Sequence, residues 1–227
     1  SRCCLSRVGS SPGLVKNVAS ERDSELRKCG RIGCLTPRCD GQAMDANHTP
    51  SDFSKILFEE SVLLERIAEL AADVERDYAG QDLLLVGVLK GATVLLSDFS
   101  RSLSRHINIE WMAVSSYGSG TKSSGVVRIL KDLDIDITNR HVLVVEDILD
   151  SGLTLSWLLR NLSSRGPASV EVFTLMRKPD AVKVPITPKY CGFDIPNEFV
   201  VGYGLDYAQK YRNLRSVAVL APHVYGA

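Results

Sequence analysis

The sequence is short of several features that would each have indicated a class of protein. It contains no apolar run near the roughly 18–20 residues that a membrane-spanning helix requires. Its formal net charge is zero, with 27 Lys+Arg against 27 Asp+Glu, so charge alone gives no reason to expect nucleic acid. A composition that is 44% hydrophobic and 24% charged is ordinary for a globular protein. Collagen, low-complexity disorder and a disulfide scaffold are therefore excluded.

Cysteine is scarce only after residue 43. Five of the six cysteines precede Met44, and Cys191 alone follows it. Charge divides at the same place, because residues 1–43 hold eight basic and four acidic residues, a net +4, and the remainder holds 19 and 23, a net −4. A single cysteine in the larger part favours a reduced, cytoplasmic setting without structural disulfides.

Residues 1–43 have neither helical nor strand periodicity and are rich in Gly, Ser and Arg. This composition predicts a poorly ordered N-terminal extension, followed by one domain at 44–227. Two other interpretations stay open, a targeting peptide, which three early acids disfavour, and a metal site. The acids are Glu21, Asp23 and Glu25, and the candidate metal ligands are Cys29, Cys34, Cys39 and His48.

The remainder of the chain alternates buried strands with amphipathic helices. Such alternation predicts an α/β fold with a parallel sheet, in which ligands lie beyond the carboxyl ends of the strands. A polar Gly/Ser-rich loop at 115–125 is long enough to carry function. The predicted helices are 63–78, 92–103 and 153–162, and the predicted strands are 83–89, 107–114, 126–130, 142–145 and 170–176.

The strongest candidate for a site is segment 142–154 (VLVVEDILDSGLT). A buried apolar strand runs into Glu146 and Asp147, and a turn of small and hydroxylic residues then opens a helix. Backbone N–H groups at a helix N-terminus bind anions, and a phosphate monoester is well suited to this one. The two acids cannot bind that phosphate directly, but they could accept hydrogen bonds from sugar hydroxyls or hold a cation.

This segment resembles the phosphoribosyl-pyrophosphate-binding motif of type I phosphoribosyltransferases. Six further segments are similar to the hypoxanthine-guanine phosphoribosyltransferases, so the resemblance covers about 55–225. These segments are 89–91 (LKG), 115–118 (SSYG), 175–179 (LMRKP), 192–196 (GFDIP), 199–207 (FVVGYGLDY) and 211–214 (YRNL). The resemblance implies a parallel-sheet core with helices on both faces, a small hood built from the chain ends and a mobile lid at 115–125.

The resemblance also implies roles for individual residues. Asp150 is the implied general acid/base at purine N7. The implied phosphoribosyl-binding residues are Glu146, Asp147, Ser151, Gly152, Leu153 and Thr154, with Leu153 standing where some relatives have Lys. The implied purine-binding residues are Lys178, Phe199, Val200 and Asp206. The implied pyrophosphate-binding residues are Lys90, Gly91, Arg212, Ser116 and Tyr117. The implied ligands of Mg²⁺ are Glu146, Asp147 and Asp206.

Residue chemistry agrees with these implied roles at one position in particular. An ammonium group has three N–H donors and no acceptor, so Lys178 would favour a 6-oxo group over the 6-amino group of adenine. It would serve xanthine equally well.

The implied activity is Mg²⁺-dependent transfer of phosphoribosyl from phosphoribosyl pyrophosphate to hypoxanthine or guanine, in a homodimer or homotetramer without nucleic-acid or membrane partners. A xanthine-preferring enzyme, a nucleotide-sensing nucleic-acid-binding regulator on the same fold and a catalytically silent relative are the alternatives.

Overall fold

The computed structural model describes residues 50–116 and 127–226, and of Pro50 and Ser116 it describes the backbone only. The helices are α1 (Glu60–Asp77), α2 (Thr93–Ser102), α3 (Leu153–Ser163) and α4 (Pro222–Tyr225). The strands are β1 (Phe53–Phe58), β2 (Leu83–Leu89), β3 (Asn108–Ser116), β4 (Val127–Lys131), β5 (His141–Leu149), β6 (Ser169–Arg177), β7 (Tyr190–Asp194), β8 (Val200–Val201) and β9 (Val217–Leu220). Short 3₁₀ turns occupy Pro50–Asp52 and Pro179–Ala181.

Six strands form the central sheet, in the order β4-β3-β2-β5-β6-β7. All neighbouring pairs are parallel except β3 and β4, which are antiparallel. The predicted α/β fold with a parallel sheet is therefore confirmed.

Alternation along the buried strands explains why helices cover both faces of this sheet. Successive side chains of a strand point to opposite faces. Leu83 and Leu85 of β2 belong to the hydrophobic cluster that includes α1 and α2. Leu84 and Val86 belong to the cluster that includes α3. Both faces are apolar and both need a helical layer, as expected for continuous hydrophobic strands.

The chain order of the strands reverses between β2 and β5. From β2 the chain runs outward to β3 on one side, and β5 lies on the other side of β2. In open α/β sheets the crevice beyond the carboxyl ends of two such strands is the usual ligand site. The residues that follow β2 and β5 therefore meet at this position.

A second sheet is small and antiparallel, with strand order β1-β9-β8. It joins the first described strand to the C-terminal segment. Its residues Val200, Val217 and Val219 pack with the α1–α2 core, whereas Val201 and Leu220 pack with Tyr211 in a separate cluster.

The boundaries of most predicted elements lie within a few residues of the observed ones. The main difference concerns β5, which continues to Leu149 rather than ending at Val145, so Glu146 and Asp147 lie within the strand. The short strands β1, β7, β8 and β9 are additional to the prediction. Residues 1–43 lie outside the described residues. So do residues 117–125 of the predicted lid, whose first two residues, Ser115 and Ser116, belong to β3 instead. No helix among the described residues is long and apolar enough to cross a membrane.

Candidate active site

The turn between β5 and α3 has the backbone geometry of an anion-binding helix N-terminus. Gly152 adopts φ +76°, a left-handed conformation that glycine tolerates best, and α3 begins at the next residue. A pocket at this turn is lined by side chains and backbone from both elements. Its lining is Glu146, Ile148, Leu149, Asp150, Ser151, Gly152, Thr154 and Leu155. The side chain of Leu153 is 40% exposed and is not part of that lining.

Lys178 lies beside Asp150 at the edge of this turn. Lys178 follows β6 directly, and its backbone N–H donates to the carbonyl of Leu149 at 2.9 Å. Its Nζ is 3.5 Å from Oδ2 of Asp150, which is exposed, whereas Lys178 is only 8% exposed. Because buried lysines are rare unless they are paired, Lys178 is not an ordinary surface lysine.

The loop after β2 packs against the second acid of β5. A Cβ at Gly91 would collide with the carboxylate of Asp147, and a Cβ at Gly204 would collide with the carbonyl oxygen of Gly91. Glycine at these two positions allows three segments to approach each other closely. The peptide bond between Leu89 and Lys90 is cis.

Burial raises the pKa of both acids of β5. Burial raises the pKa of Asp147 to about 6, against the opposing effects of the Ile148 N–H and the charge of Arg212. Burial and the neighbouring charge of Asp147 raise the pKa of Glu146 well above its usual range. The two acids have different neighbours. Glu146 lines the pocket at the turn before α3, whereas Asp147 packs on Gly91.

Cations and an acid surround Gln209 beside this loop. Arg212 Nη2 is 2.7 Å from Oδ1 of Asp206, and Arg212 Nη1 donates to the carbonyl of Gly204 at 2.8 Å. Lys90 Nζ donates to Oε1 of Gln209 at 3.2 Å. The structure thus brings Lys90, Gly91 and Arg212, three of the predicted pyrophosphate-binding residues, close to Asp206, which the resemblance gave as a purine-binding residue and a ligand of Mg²⁺.

The carboxylates of Asp147 and Asp206 suit a divalent cation that is shared with a substrate. The negative charge of Asp206 adds a small part to the raised pKa of Asp147, and the positive charge of Arg212 opposes it. Mg²⁺ commonly binds one or two carboxylates, with waters and phosphates completing its coordination. Among the described residues, no group of three or more acid, His or Cys side chains has an arrangement that could hold a metal ion, so the three predicted ligands Glu146, Asp147 and Asp206 do not form one cluster.

Phe199 directly precedes β8 of the small sheet, and its side chain is partly accessible. It is 40% exposed, and its ring stacks on Tyr225 of α4 at a centroid distance of 5.3 Å. Tyr207 meets it edge-on at 5.7 Å. Val200 is buried in β8, an edge strand of that sheet, where it pairs with Val219 of β9.

Two predicted contact residues lie at or beyond the end of β3. Tyr117 lies outside the described residues, and the side chain of Ser116 is not described. Sequence reasoning missed Gln209, Gly204 and Tyr225, which contact predicted site residues. A glycine in the GYG segment was a recognisable signal for close backbone approach, whereas a lone Gln in a polar loop gave no signal.

Comparison with known proteins gives a consistent result. The phosphoribosyl transferase domain family matches residues 55–208. A hypoxanthine-guanine phosphoribosyltransferase of Mycobacterium tuberculosis is 56% identical over 182 residues, covering 78% of this chain and 90% of that protein. One of Bacillus subtilis is 43% identical over 174 residues, covering 77% and 97%. A crystal structure of a hypoxanthine phosphoribosyltransferase from Staphylococcus aureus has a TM-score of 0.75 at 44% identity, covering 78% of this chain and 96% of that one.

Proposed function

The chain belongs to the hypoxanthine-guanine phosphoribosyltransferase family, and from this membership we propose that it is a purine-salvage enzyme. It transfers the 5-phosphoribosyl group of phosphoribosyl pyrophosphate to hypoxanthine or guanine. The products are IMP or GMP and pyrophosphate. The site described above supports each part of this reaction with residues of the matching chemistry.

The observation that carries the proposal is the pairing of Lys178 with Asp150 beside a phosphate-binding turn. In an oxopurine, O6 and N7 lie next to each other on one edge of the base. An ammonium that only donates suits O6, and a carboxylate suits the proton on N7. Adenine would present a second donor to Lys178. The 3.5 Å separation of the two charged groups supports binding of that edge by both of them.

The phosphoribosyl group is held by the segment that links β5 to α3. Backbone N–H groups of the turn from Ser151 to Thr154 surround the 5′-phosphate, with the positive end of the α3 dipole behind them. The side chain of Leu153 adds no charge there. Glu146 and Asp147 accept hydrogen bonds from ribose hydroxyls, which compensates in part for the cost of burying them.

Asp150 handles the proton of the reaction. Purine N9 forms a bond to C1 of the ribose as the bond from C1 to the pyrophosphate oxygen breaks, and the electron pair leaves with pyrophosphate. The base would become cationic, so its N7 proton passes to the Asp150 carboxylate. Proton transfer of this kind typically contributes about 10²–10⁴-fold to a rate.

The leaving pyrophosphate is received by the loop after β2 and by the segment that carries Asp206. The backbone of Gly91 and the cations of Lys90 and Arg212 bind its oxygens. Asp147 and Asp206 would hold Mg²⁺ beside it. When bound, Mg²⁺ would neutralise part of the charge that develops on the leaving group.

Phe199 stacks on the purine, and the free edge of β8 at Val200 offers backbone groups to it. A homodimer or homotetramer, a lid at 115–125 that excludes water, and a cytoplasmic location stay predictions. The poorly ordered extension at 1–43 and the domain boundary at Met44 are proposals of the same kind.

The test is a turnover assay with phosphoribosyl pyrophosphate, Mg²⁺ and each of hypoxanthine, guanine, xanthine and adenine. We expect conversion of hypoxanthine and guanine and no conversion of adenine. A preference for xanthine would place the chain with the xanthine-preferring enzymes. Absence of turnover with every oxopurine would refute the proposal, and filter binding of nucleic acid to the chain from Met44 would then test the regulator.

A further inference from the structure

We propose that Gln209 is a positioning residue for the pyrophosphate-binding cations, and that it must be neutral to serve in this way. The proposal rests on the proposed function, because it concerns the site that receives pyrophosphate. No sequence motif indicated a role for this residue. The argument depends on its contacts, its backbone conformation and its charge.

The side chain of Gln209 joins two cations that come from distant parts of the chain. Its Oε1 accepts a hydrogen bond from Lys90 Nζ at 3.2 Å and one from Arg212 Nη2 at 3.4 Å. Lys90 follows β2, and Arg212 lies 122 positions later in the sequence. Without a shared acceptor, the two like charges would repel each other and Lys90, which is exposed, would be free to turn away.

The other end of the same residue fixes the neighbouring acid. The backbone N–H of Gln209 donates to Oδ2 of Asp206 at 2.8 Å, while Arg212 is bound to Oδ1. Gln209 therefore contacts both cations and the carboxylate that faces them. One residue sets the relative positions of all three groups before pyrophosphate binds, and this lowers the entropy cost of binding.

The backbone at Gln209 is held in an unfavourable conformation. Its φ is +65°, and Ala208 next to it has φ +50°. Side-chain-bearing residues in the left-handed region are uncommon, and such conformations cluster at ligand sites, where the surrounding contacts maintain them. The turn that carries Gln209 is accordingly shaped for these contacts rather than for local backbone preference.

The neutrality of the amide is the essential part of the proposal. A carbonyl oxygen orients Lys90 and Arg212 but leaves their positive charge available to an incoming anion. A carboxylate at the same position would form charge-assisted hydrogen bonds, which are about twice as strong, and would compete with pyrophosphate for both cations. It would also put a negative charge in place of the amide Nε2, which donates to Oδ2 of Asp206 at 3.4 Å.

The experiment compares Gln209→Glu and Gln209→Ala with the wild type and with Gln81→Glu. Gln81 is exposed and precedes β2, at the opposite end of that strand from Lys90. The Gln81→Glu variant therefore introduces the same negative charge away from the site. Steady-state kinetics give KM for phosphoribosyl pyrophosphate and for hypoxanthine. Titration calorimetry with pyrophosphate and Mg²⁺ gives a dissociation constant that does not depend on turnover.

We expect Gln209→Glu to raise KM for phosphoribosyl pyrophosphate, and Kd for pyrophosphate, by about ten-fold or more through the added charge. Gln209→Ala should raise both by about three-fold, since it loses the orientation but keeps the charge of the cations. KM for hypoxanthine should change by less than about two-fold in both Gln209 variants, because the proposed base-binding residues do not contact Gln209. Gln81→Glu should match the wild type, because residue 81 is distant from this contact.

Equal effects of Gln209→Glu on both substrates, or an effect of Gln209→Ala as large as that of Gln209→Glu, would overturn the proposal. A purely structural role would change the two substrates together. If the wild type converts no oxopurine, the proposed function fails by itself. The calorimetric comparison of pyrophosphate binding then still supports or overturns the role of Gln209.

Discussion

At the scale of single residues, the pairing of Lys178 with Asp150 is what distinguishes this site from a general phosphate site. A turn of small residues at a helix N-terminus binds many anions. A buried ammonium 3.5 Å from an exposed carboxylate provides a donor and a proton acceptor side by side. Each of these two residues has a separate, measurable consequence.

Replacing Asp150 by Asn should lower kcat by about 10²–10⁴-fold, because the amide cannot accept the N7 proton. Binding of phosphoribosyl pyrophosphate, measured by calorimetry, should stay close to the wild-type value, since the backbone of the phosphate turn is unchanged. Asp180→Asn is the matched control, an exposed acid two positions after Lys178. Near-normal turnover in Asp150→Asn would show that the general-base assignment is wrong.

Replacing Lys178 by Ala should raise KM for hypoxanthine by about ten-fold or more, because a hydrogen bond from a charged donor contributes about 1.5–3 kcal/mol. KM for phosphoribosyl pyrophosphate should rise less. Lys183→Ala, at an exposed lysine nearby, should leave both constants unchanged. If the donor substrate were affected more than the base, Lys178 would not be the residue that binds O6.

At the scale of elements, the ends of strands and helices decide where the chemistry lies. The loop after β2 reaches β5 because Gly91 has no side chain to keep Asp147 away. The end of α1 has a different character, because Tyr78 there is only 2% exposed and its hydroxyl has no hydrogen-bond partner among the described residues. We therefore expect changes in the loop after β2 to affect substrate binding, and changes at the end of α1 to affect the stability of the fold.

Gly91→Ala should raise KM for phosphoribosyl pyrophosphate and lower the free energy of unfolding by about 1–3 kcal/mol, the usual effect of overpacking. Gly80→Ala is the control. Gly80 has φ +73° and open space at its Cβ position, so its variant should lose about 1 kcal/mol of stability with unchanged KM. Unchanged KM in Gly91→Ala would contradict the close approach to Asp147.

Tyr78→Phe should change the free energy of unfolding at pH 7 by no more than about 1 kcal/mol, because the buried hydroxyl has only a weak contact with Ser169 that lacks the geometry of a full hydrogen bond. Burial raises the pKa of Tyr78 to about 12, whereas an unfolded tyrosine titrates near pH 10. The stability of the wild type that depends on this group is present below pH 10 and is lost as the pH rises towards 12.

The stability difference between Tyr78→Phe and the wild type should therefore widen between pH 10 and pH 12, by up to about 2–3 kcal/mol. Urea denaturation over this pH range measures it, and Tyr207→Phe, at a partly exposed tyrosine, provides a comparison. A difference that is independent of pH would contradict the raised pKa.

At the scale of the whole molecule, the two ends of the described chain are joined. Strand β1 pairs with β9 close to the C-terminus, and Phe58 stacks on Phe193 of β7 at 4.1 Å. The small sheet so formed carries Phe199, and the residues of the candidate site all follow β1 in sequence. We therefore expect the fold to depend on β1, whereas residues 1–43 contribute no residue to the predicted phosphoribosyltransferase site.

A chain that begins at Met44 should keep kcat and melting temperature close to those of the full chain. A chain that begins at Glu59 lacks β1 and should melt at a lower temperature, because β9 loses a partner strand and Phe193 loses its stacked ring. A large loss of activity in the Met44 chain would show that the extension takes part in the function.

Most of the central fold follows from local pattern. The buried run at 83–89 matches β2 residue for residue, and the spacing from Leu63 to Tyr78 locates α1. Strand β8 has two residues and β9 has four, so neither is long enough to establish a periodicity. Strand β5 extends beyond its apolar run because its ladder with β6 continues past Glu146.

The sequence by itself determined the α/β class, the position of the turn before α3 that we propose binds phosphate, and the family to which its motifs are similar, because these depend on neighbouring residues. Tertiary structure alone decided that Lys178 faces Asp150, that Asp147 packs on Gly91 and that one amide joins Lys90 to Arg212. These partners are distant in sequence. They meet because parallel strands bring their carboxyl ends to one edge of the sheet, and local pattern does not encode which loops lie next to each other there.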